Sequence, residues 1–137
     1  MIRSRTATRT AIAFASLWTL LGTAHAACRN FAVDDSFAIT QENGYRVTFK
    51  LTQDETGAFT GTASYPSGSE EVTGTARGAI GDRGKFDLVV NWENGSVGDY
   101  TGWVTRDGNI SDGTAFDRAH PESRTTWTNV HPLRCAD

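Results

Sequence analysis

The chain has 137 residues, a formal net charge of −3 and only three prolines. The first 26 residues hold three of its thirteen Lys and Arg and none of its sixteen Asp and Glu, so the remaining 111 oppose ten basic residues to sixteen acids, a formal charge of −6. That balance argues against a nucleic-acid or anionic-membrane partner, both of which need a basic surface.

At the N-terminus, Arg3, Arg5 and Arg9 precede an apolar run from Ala11 to Leu21, and Ala24-His25-Ala26 follows as a small-x-small triplet. This is the order of a secretory signal peptide. The run is too short for a bilayer span, which takes roughly 20 residues. The expected organisation is a signal peptide over 1–26, cleaved after Ala26, and one β-barrel domain over 27–137 that is periplasmic or secreted and has no membrane span. Cys28 and Cys135 stand near the two ends of that domain. An even cysteine count in an exported chain predicts a disulfide, and neither a C-x-x-C redox pair nor metal-ligand spacing competes with it.

Period-two alternation then dominates. Tyr45, Val47, Phe49 and Leu51 alternate with Arg46, Thr48, Lys50 and Thr52, and Phe86, Leu88, Val90 and Trp92 alternate with Asp87, Val89, Asn91 and Glu93. Each run reads as a strand with one buried and one wet face. Asn43-Gly44, Thr56-Gly57, Gly81-Asp82-Arg83-Gly84, Asn94-Gly95 and Asp107-Gly108 punctuate the runs as turns. Fourteen threonines against two lysines beyond residue 26 favour strand over helix. The reading is all-β, with eight strands at about 36–40, 45–52, 58–65, 70–78, 85–93, 99–105, 110–116 and 124–130. Short connections make them an antiparallel up-and-down meander. Its expected form is a small closed or flattened barrel, since no connection suits a Greek-key crossover.

Three segments carry a family resemblance. Phe59-Thr60-Gly61-Thr62 is similar to the L-T/S-G-T/Q segment of the avidin-like barrels, Val72-Thr73-Gly74-Thr75-Ala76 resembles their L-T-G-R strand, and Val89-Val90-Asn91-Trp92-Glu93-Asn94 resembles their V-x-W-x-N strand. The resemblance runs from Tyr45 to Trp103 and implies an eight-stranded barrel in which Trp92 lines a ligand site. The polar positions of that family depart. Phe31 to Tyr45 offers no tryptophan, Ala63 stands where a tyrosine follows G-T, with Tyr65 two residues on, and Tyr100 replaces a tryptophan. The expectation is an avidin-like scaffold that does not bind biotin tightly, because each unmet hydrogen bond to a buried ligand is costly.

Chemistry-bearing residues are sparse. Ser123, His120 and Asp117 contain the residue types of a nucleophilic triad, but no strained G-x-S-x-G turn accompanies them. Asp117, His120 and His131 lack metal-ligand spacing. No catalytic residue, metal site or cofactor is expected, and the chain is read as no enzyme. Aromatic residues instead suggest binding. Trp92 shares its register with core residues, Tyr100 and Trp103 fall on opposite faces of one strand, and Trp127 ends a threonine-rich strand. Asp117 and Arg118 open the polar segment Asp117–Arg124, read as the longest loop. The expected ligand-binding residues are Trp92, Tyr100, Trp103, Trp127, Asp117 and Arg118, for a small molecule or carbohydrate. The alternative is a protein partner, in an interaction or inhibitor module acting through the loops.

Overall fold

The computed structural model describes residues 27–137; the expected signal peptide lies outside the described residues. A two-residue strand β1 (Phe31–Ala32) opens the chain. There follow β2 (Ala38–Gln41), β3 (Arg46–Gln53), β4 (Ala58–Ser67), β5 (Glu70–Ile80), β6 (Lys85–Trp92), β7 (Val97–Val104), β8 (Ile110–Asp117), β9 (His120–Asn129) and a short β10 (Arg134–Cys135). Strands β2 to β9 pair antiparallel in sequence order, and β2 meets β9 through Ile39↔Asn129, Thr40↔Thr128 and Gln41↔Trp127 to close the barrel. The all-β, up-and-down expectation holds, and closure leaves no free edge in that sheet.

The turns explain why the meander folds locally. The amides of Gly44, Gly57, Gly84, Gly95 and Gly108 each donate to the carbonyl three residues earlier, and each of these glycines has a positive φ between 79° and 94°. A type I turn ending in a left-handed glycine is a three-residue hairpin loop. The left-handed residue is thus the glycine alone, and in four of these turns an upstream Asn or Asp serves as a side-chain acceptor. Asp54 Oδ1 accepts from Thr56 N at 2.8 Å and Asn94 Oδ1 from Ser96 N at 3.0 Å.

One connection differs from the sequence reading. Asp117–Arg124 is no long loop: β9 begins at His120, and only Arg118 and Ala119 join it to β8. Pro121 is accommodated because the β8–β9 register slips between Ala115 and Asp117, an irregular stretch that asks no ladder hydrogen bond of a proline. There the Asp117 amide donates to Ser123 Oγ at 3.0 Å.

The two ends of the barrel are unlike. At one end β1 and β10 form a separate ribbon, Phe31↔Cys135 and Ala32↔Arg134, with Cys28 bonded to Cys135 at a Cα separation of 5.7 Å. The expected disulfide is therefore present, which is compatible with an oxidising extracytoplasmic location. Gln53 ties the ribbon to β3, accepting from Val33 N at 2.7 Å and donating to the Phe31 carbonyl at 3.2 Å. Above the ribbon the interior is filled by rings. Phe37 lies 5.3 Å from Phe49 and 5.6 Å from Phe86, and Phe86 lies 5.6 Å from both Phe59 and Trp127. The opposite end, where the β2–β3, β4–β5, β6–β7 and β8–β9 hairpins turn, carries no such plug. Among the described residues no helix is long and apolar enough to cross a membrane.

Candidate functional site

The unplugged end holds a cavity of about 210 Å³, lined among others by Gln41, Tyr45, Tyr65, Trp92, Tyr100 and Asp117. Its floor is set by strand parity. Trp92 continues the inward register of Phe86, Leu88 and Val90 on β6, and Tyr100 is inward on β7; both are buried. Gly74 and Gly98 make room for the indole. A Cβ on Gly74 would stand 2.9 Å from Trp92 Cε3, and one on Gly98 would stand 2.8 Å from Tyr100 Cε2 and 3.2 Å from Trp92 Nε1. Interior glycines of this kind mark close aromatic neighbours.

The Tyr100 hydroxyl is the polar centre of the floor. Burial pushes its pKa up to about 12, against the opposing effect of hydrogen bonds from the Gln41 and Trp92 side chains. Gln41 Nε2 donates to Tyr100 Oη at 3.5 Å. Gln41 is the one polar residue of β2 buried to this depth, and the interaction gives its amide a partner away from water.

Above the floor rise two further rings. The Tyr65 ring meets Trp92 at 4.8 Å and 83°, and meets Tyr45 at 5.2 Å and 77°. Three consecutive rings at near-right angles thus run from the buried Trp92 to Tyr45, whose residue is 44% exposed at the rim. Across the mouth, Asp117 lines the same cavity. Its pKa is held below the usual carboxylate range by the Ala119 amide, which donates to Oδ1 at 3.0 Å, and by His120, whose Nδ1 lies 3.1 Å from Oδ2.

The expected ligand-binding residues are therefore divided by the fold. Trp92, Tyr100 and Asp117 come together at the mouth. Trp127 lies deeper, 2% exposed, with Nε1 donating to the Thr114 carbonyl at 2.9 Å. Trp103 is on the outer wall, opposite Lys85 in register, with the Lys85 ammonium 4.8 Å from the ring centroid. Arg118 turns out of the mouth to fork onto Asp99, at 2.7 and 3.0 Å. Of the triad types, Asp117 and His120 meet, while Ser123 lines the cavity and His120 has a largely exposed side chain; the odd spacing puts the two on opposite faces of β9. Tyr45, Tyr65 and Gln41 were not singled out by the sequence as site residues. Their signal was present: each is inward in register at the strand end nearest the mouth.

Larger hollows exist elsewhere. A groove of about 550 Å³ crosses the outer wall, where Thr48, Thr62, Ser64, Thr73 and Thr75 face outward. Its hydroxyls serve cross-strand pairing, as between Thr48 and Ser64 at 3.0 Å. Of this groove and the mouth, the mouth alone combines enclosure by the barrel wall, a cluster of rings and a charge.

Fold and site together define a closed up-and-down barrel, plugged at one end by its disulfide-linked termini and carrying an aromatic-lined mouth at the other. No protein-family model, curated protein or solved structure matches the chain.

Proposed function

We propose that this chain is a non-catalytic binding protein, periplasmic or secreted, that receives a small molecule or one carbohydrate unit in the mouth of the barrel. The observation carrying this reading is the run Trp92–Tyr65–Tyr45 leading from a buried floor to an exposed rim. Aromatic faces beside a few placed polar groups are the composition of small-ligand sites. At about 210 Å³ the cavity is smaller than the roughly 300–1,000 Å³ of drug-sized pockets, which favours a head group or single ring over an extended ligand. The protein-partner alternative drew on a long polar loop at 117–124, and the two-residue turn there leaves it without that feature. The avidin-like outline is carried over as scaffold and as the position of Trp92, not as a biotin site.

The test is thermal shift and intrinsic tryptophan fluorescence of residues 27–137 with the disulfide intact, against a panel of monosaccharides, small amines and neutral small molecules, with biotin included. At least one class is expected to raise the melting temperature and quench fluorescence saturably, with Trp92→Phe removing most of the quench. Biotin at submicromolar concentration is expected to be silent. A panel without any saturable response, or a response that Trp92→Phe leaves unchanged, overturns the mouth as the site.

A further inference from the structure

The charge of the mouth distinguishes one ligand chemistry from the rest. Asp117 is the sole ionised side chain lining the cavity, and no Lys, Arg or His lines it. Two guanidiniums of the β8–β9 hairpin are engaged elsewhere, Arg118 forked onto Asp99 and Arg124 over the Phe116 ring with Cζ 5.1 Å from its centroid, while Arg46 lies on the outward register of β3. His120 reaches Asp117 from the turn with 65% of its side chain exposed, and it does not line the cavity. The hairpins at this end also bring Glu42, Glu70, Glu71 and Glu93 to the rim by topology. An anion entering here meets a carboxylate and no cationic side chain in the lining. A cation meets a carboxylate and a run of three rings, each nearly perpendicular to the next.

From this we infer that the mouth selects a small organic cation, an alkylated or quaternary ammonium head group, seated against Tyr45, Tyr65 and Trp92 with Asp117 as its counter-charge. The inference rests on the binding reading above and narrows it to one ligand class. Ring quadrupoles attract a cation through their faces, most strongly for tryptophan and when water is excluded. A quaternary ammonium is weakly hydrated and cannot donate hydrogen bonds, so it loses little on leaving water for a wall of rings. Asp117 retains its charge in this role because its turn amide and His120 stabilise the carboxylate rather than the acid. The Tyr100 hydroxyl, accepting from Gln41, keeps its own proton to donate to an oxygen on the ligand's tail.

The experiment is a calorimetric and fluorescence titration of the disulfide-intact protein with choline, and in parallel with 3,3-dimethylbutan-1-ol, which has the same shape and no charge. Choline is expected to bind at least about tenfold more tightly than the alcohol. Asp117→Asn keeps the Oδ1 acceptor for Ala119 and removes the charge, with an amide NH2 in place of the oxygen beside His120; Tyr45→Leu removes a rim ring whose exposure spares the core. Each is expected to weaken choline roughly three- to tenfold and leave the alcohol unchanged, while Tyr45→Phe retains choline binding. Equal binding of choline and the alcohol overturns cation selection and leaves the mouth standing as a neutral site. No choline binding also overturns it, and the wider panel then decides whether the mouth binds anything. Choline binding indifferent to Asp117→Asn and Tyr45→Leu overturns the assignment to these residues.

Discussion

Trp92 shows how single residues make the mouth. Its indole is placed by the alternation of β6, but it fits only because positions 74 and 98 carry no side chain. Gly98→Ala would drive a methyl to 2.8 Å from the Tyr100 ring and 3.2 Å from Trp92 Nε1. Forcing extra volume into a packed site costs about 1–3 kcal/mol, so this variant is expected to melt lower in calorimetry and to shift Trp92 fluorescence. Tyr100 supplies a second test. Its folded pKa of about 12 lies above the ordinary value of 10, so the folded protein keeps a proton that the unfolded chain releases. Its contribution is complete below pH 10 and falls as the pH rises to 12, a loss of about 2–3 kcal/mol. Denaturant unfolding across that window is expected to show this decline, and Tyr100→Phe is expected to flatten it.

At the scale of elements, four of the hairpins are specified twice, by a left-handed glycine and by an acceptor side chain two residues before a turn amide. Asp54 accepts from Thr56 Oγ1 at 2.6 Å as well as from its amide, and Asp107 accepts from Thr105 Oγ1 and from Asn109 N. These bonds, the Thr hydroxyls first, lower both carboxyl pKa values. The stabilisation is therefore present above about pH 4 and is lost as the pH falls through the lower folded values. Asp54→Asn keeps an acceptor and drops the charge; its melting temperature is expected to lie below the parent's near neutrality and to converge with it in acid, with a flatter pH dependence. The β8–β9 hairpin depends on a deeper anchor. Trp127 is buried, donates to the Thr114 carbonyl and pairs with Gln41 across the closing seam. Trp127→Ala is expected to cost about 3–5 kcal/mol, measured by urea unfolding.

Over the whole molecule, closure and plugging are separate stabilising devices. The barrel closes through three residue pairs between β2 and β9, while the disulfide joins residues 107 apart in sequence and holds the ribbon over the opposite end. Asp137 reinforces that ribbon, accepting from Arg29 N at 2.7 Å and Asn30 N at 3.0 Å. A bridge closing so long a loop stabilises chiefly by restricting the unfolded chain, by about 2–5 kcal/mol. The Cys28→Ser, Cys135→Ser double variant is expected to lose that much in denaturant unfolding and to retain a β-type circular dichroism spectrum, because the β2–β9 ladder does not involve it. Thiol titration of the unfolded, unreduced parent should find no free thiol.

The sequence alone determined the strand order, the inward register of Phe86, Leu88, Val90 and Trp92, most turns and the Cys28–Cys135 bond. Period-two burial, left-handed glycine turns and cysteine pairing act between neighbours or under a simple parity rule, so they are legible without coordinates. Tertiary structure decided the rest. Whether Tyr100 or Trp103 faced inward depended on which face of β7 met the core, a choice that alternation leaves symmetric. That Tyr45, Tyr65, Trp92 and Asp117 share one mouth depended on barrel closure, which brings to one end residues from β6, the β8–β9 hairpin and both flanks of the β3–β4 pair. The segment at Asp117–Arg124 read as a loop because its proline and charges are local signals. Its strand is imposed by pairing with β8, whose register slip spares Pro121 the hydrogen bond it cannot make.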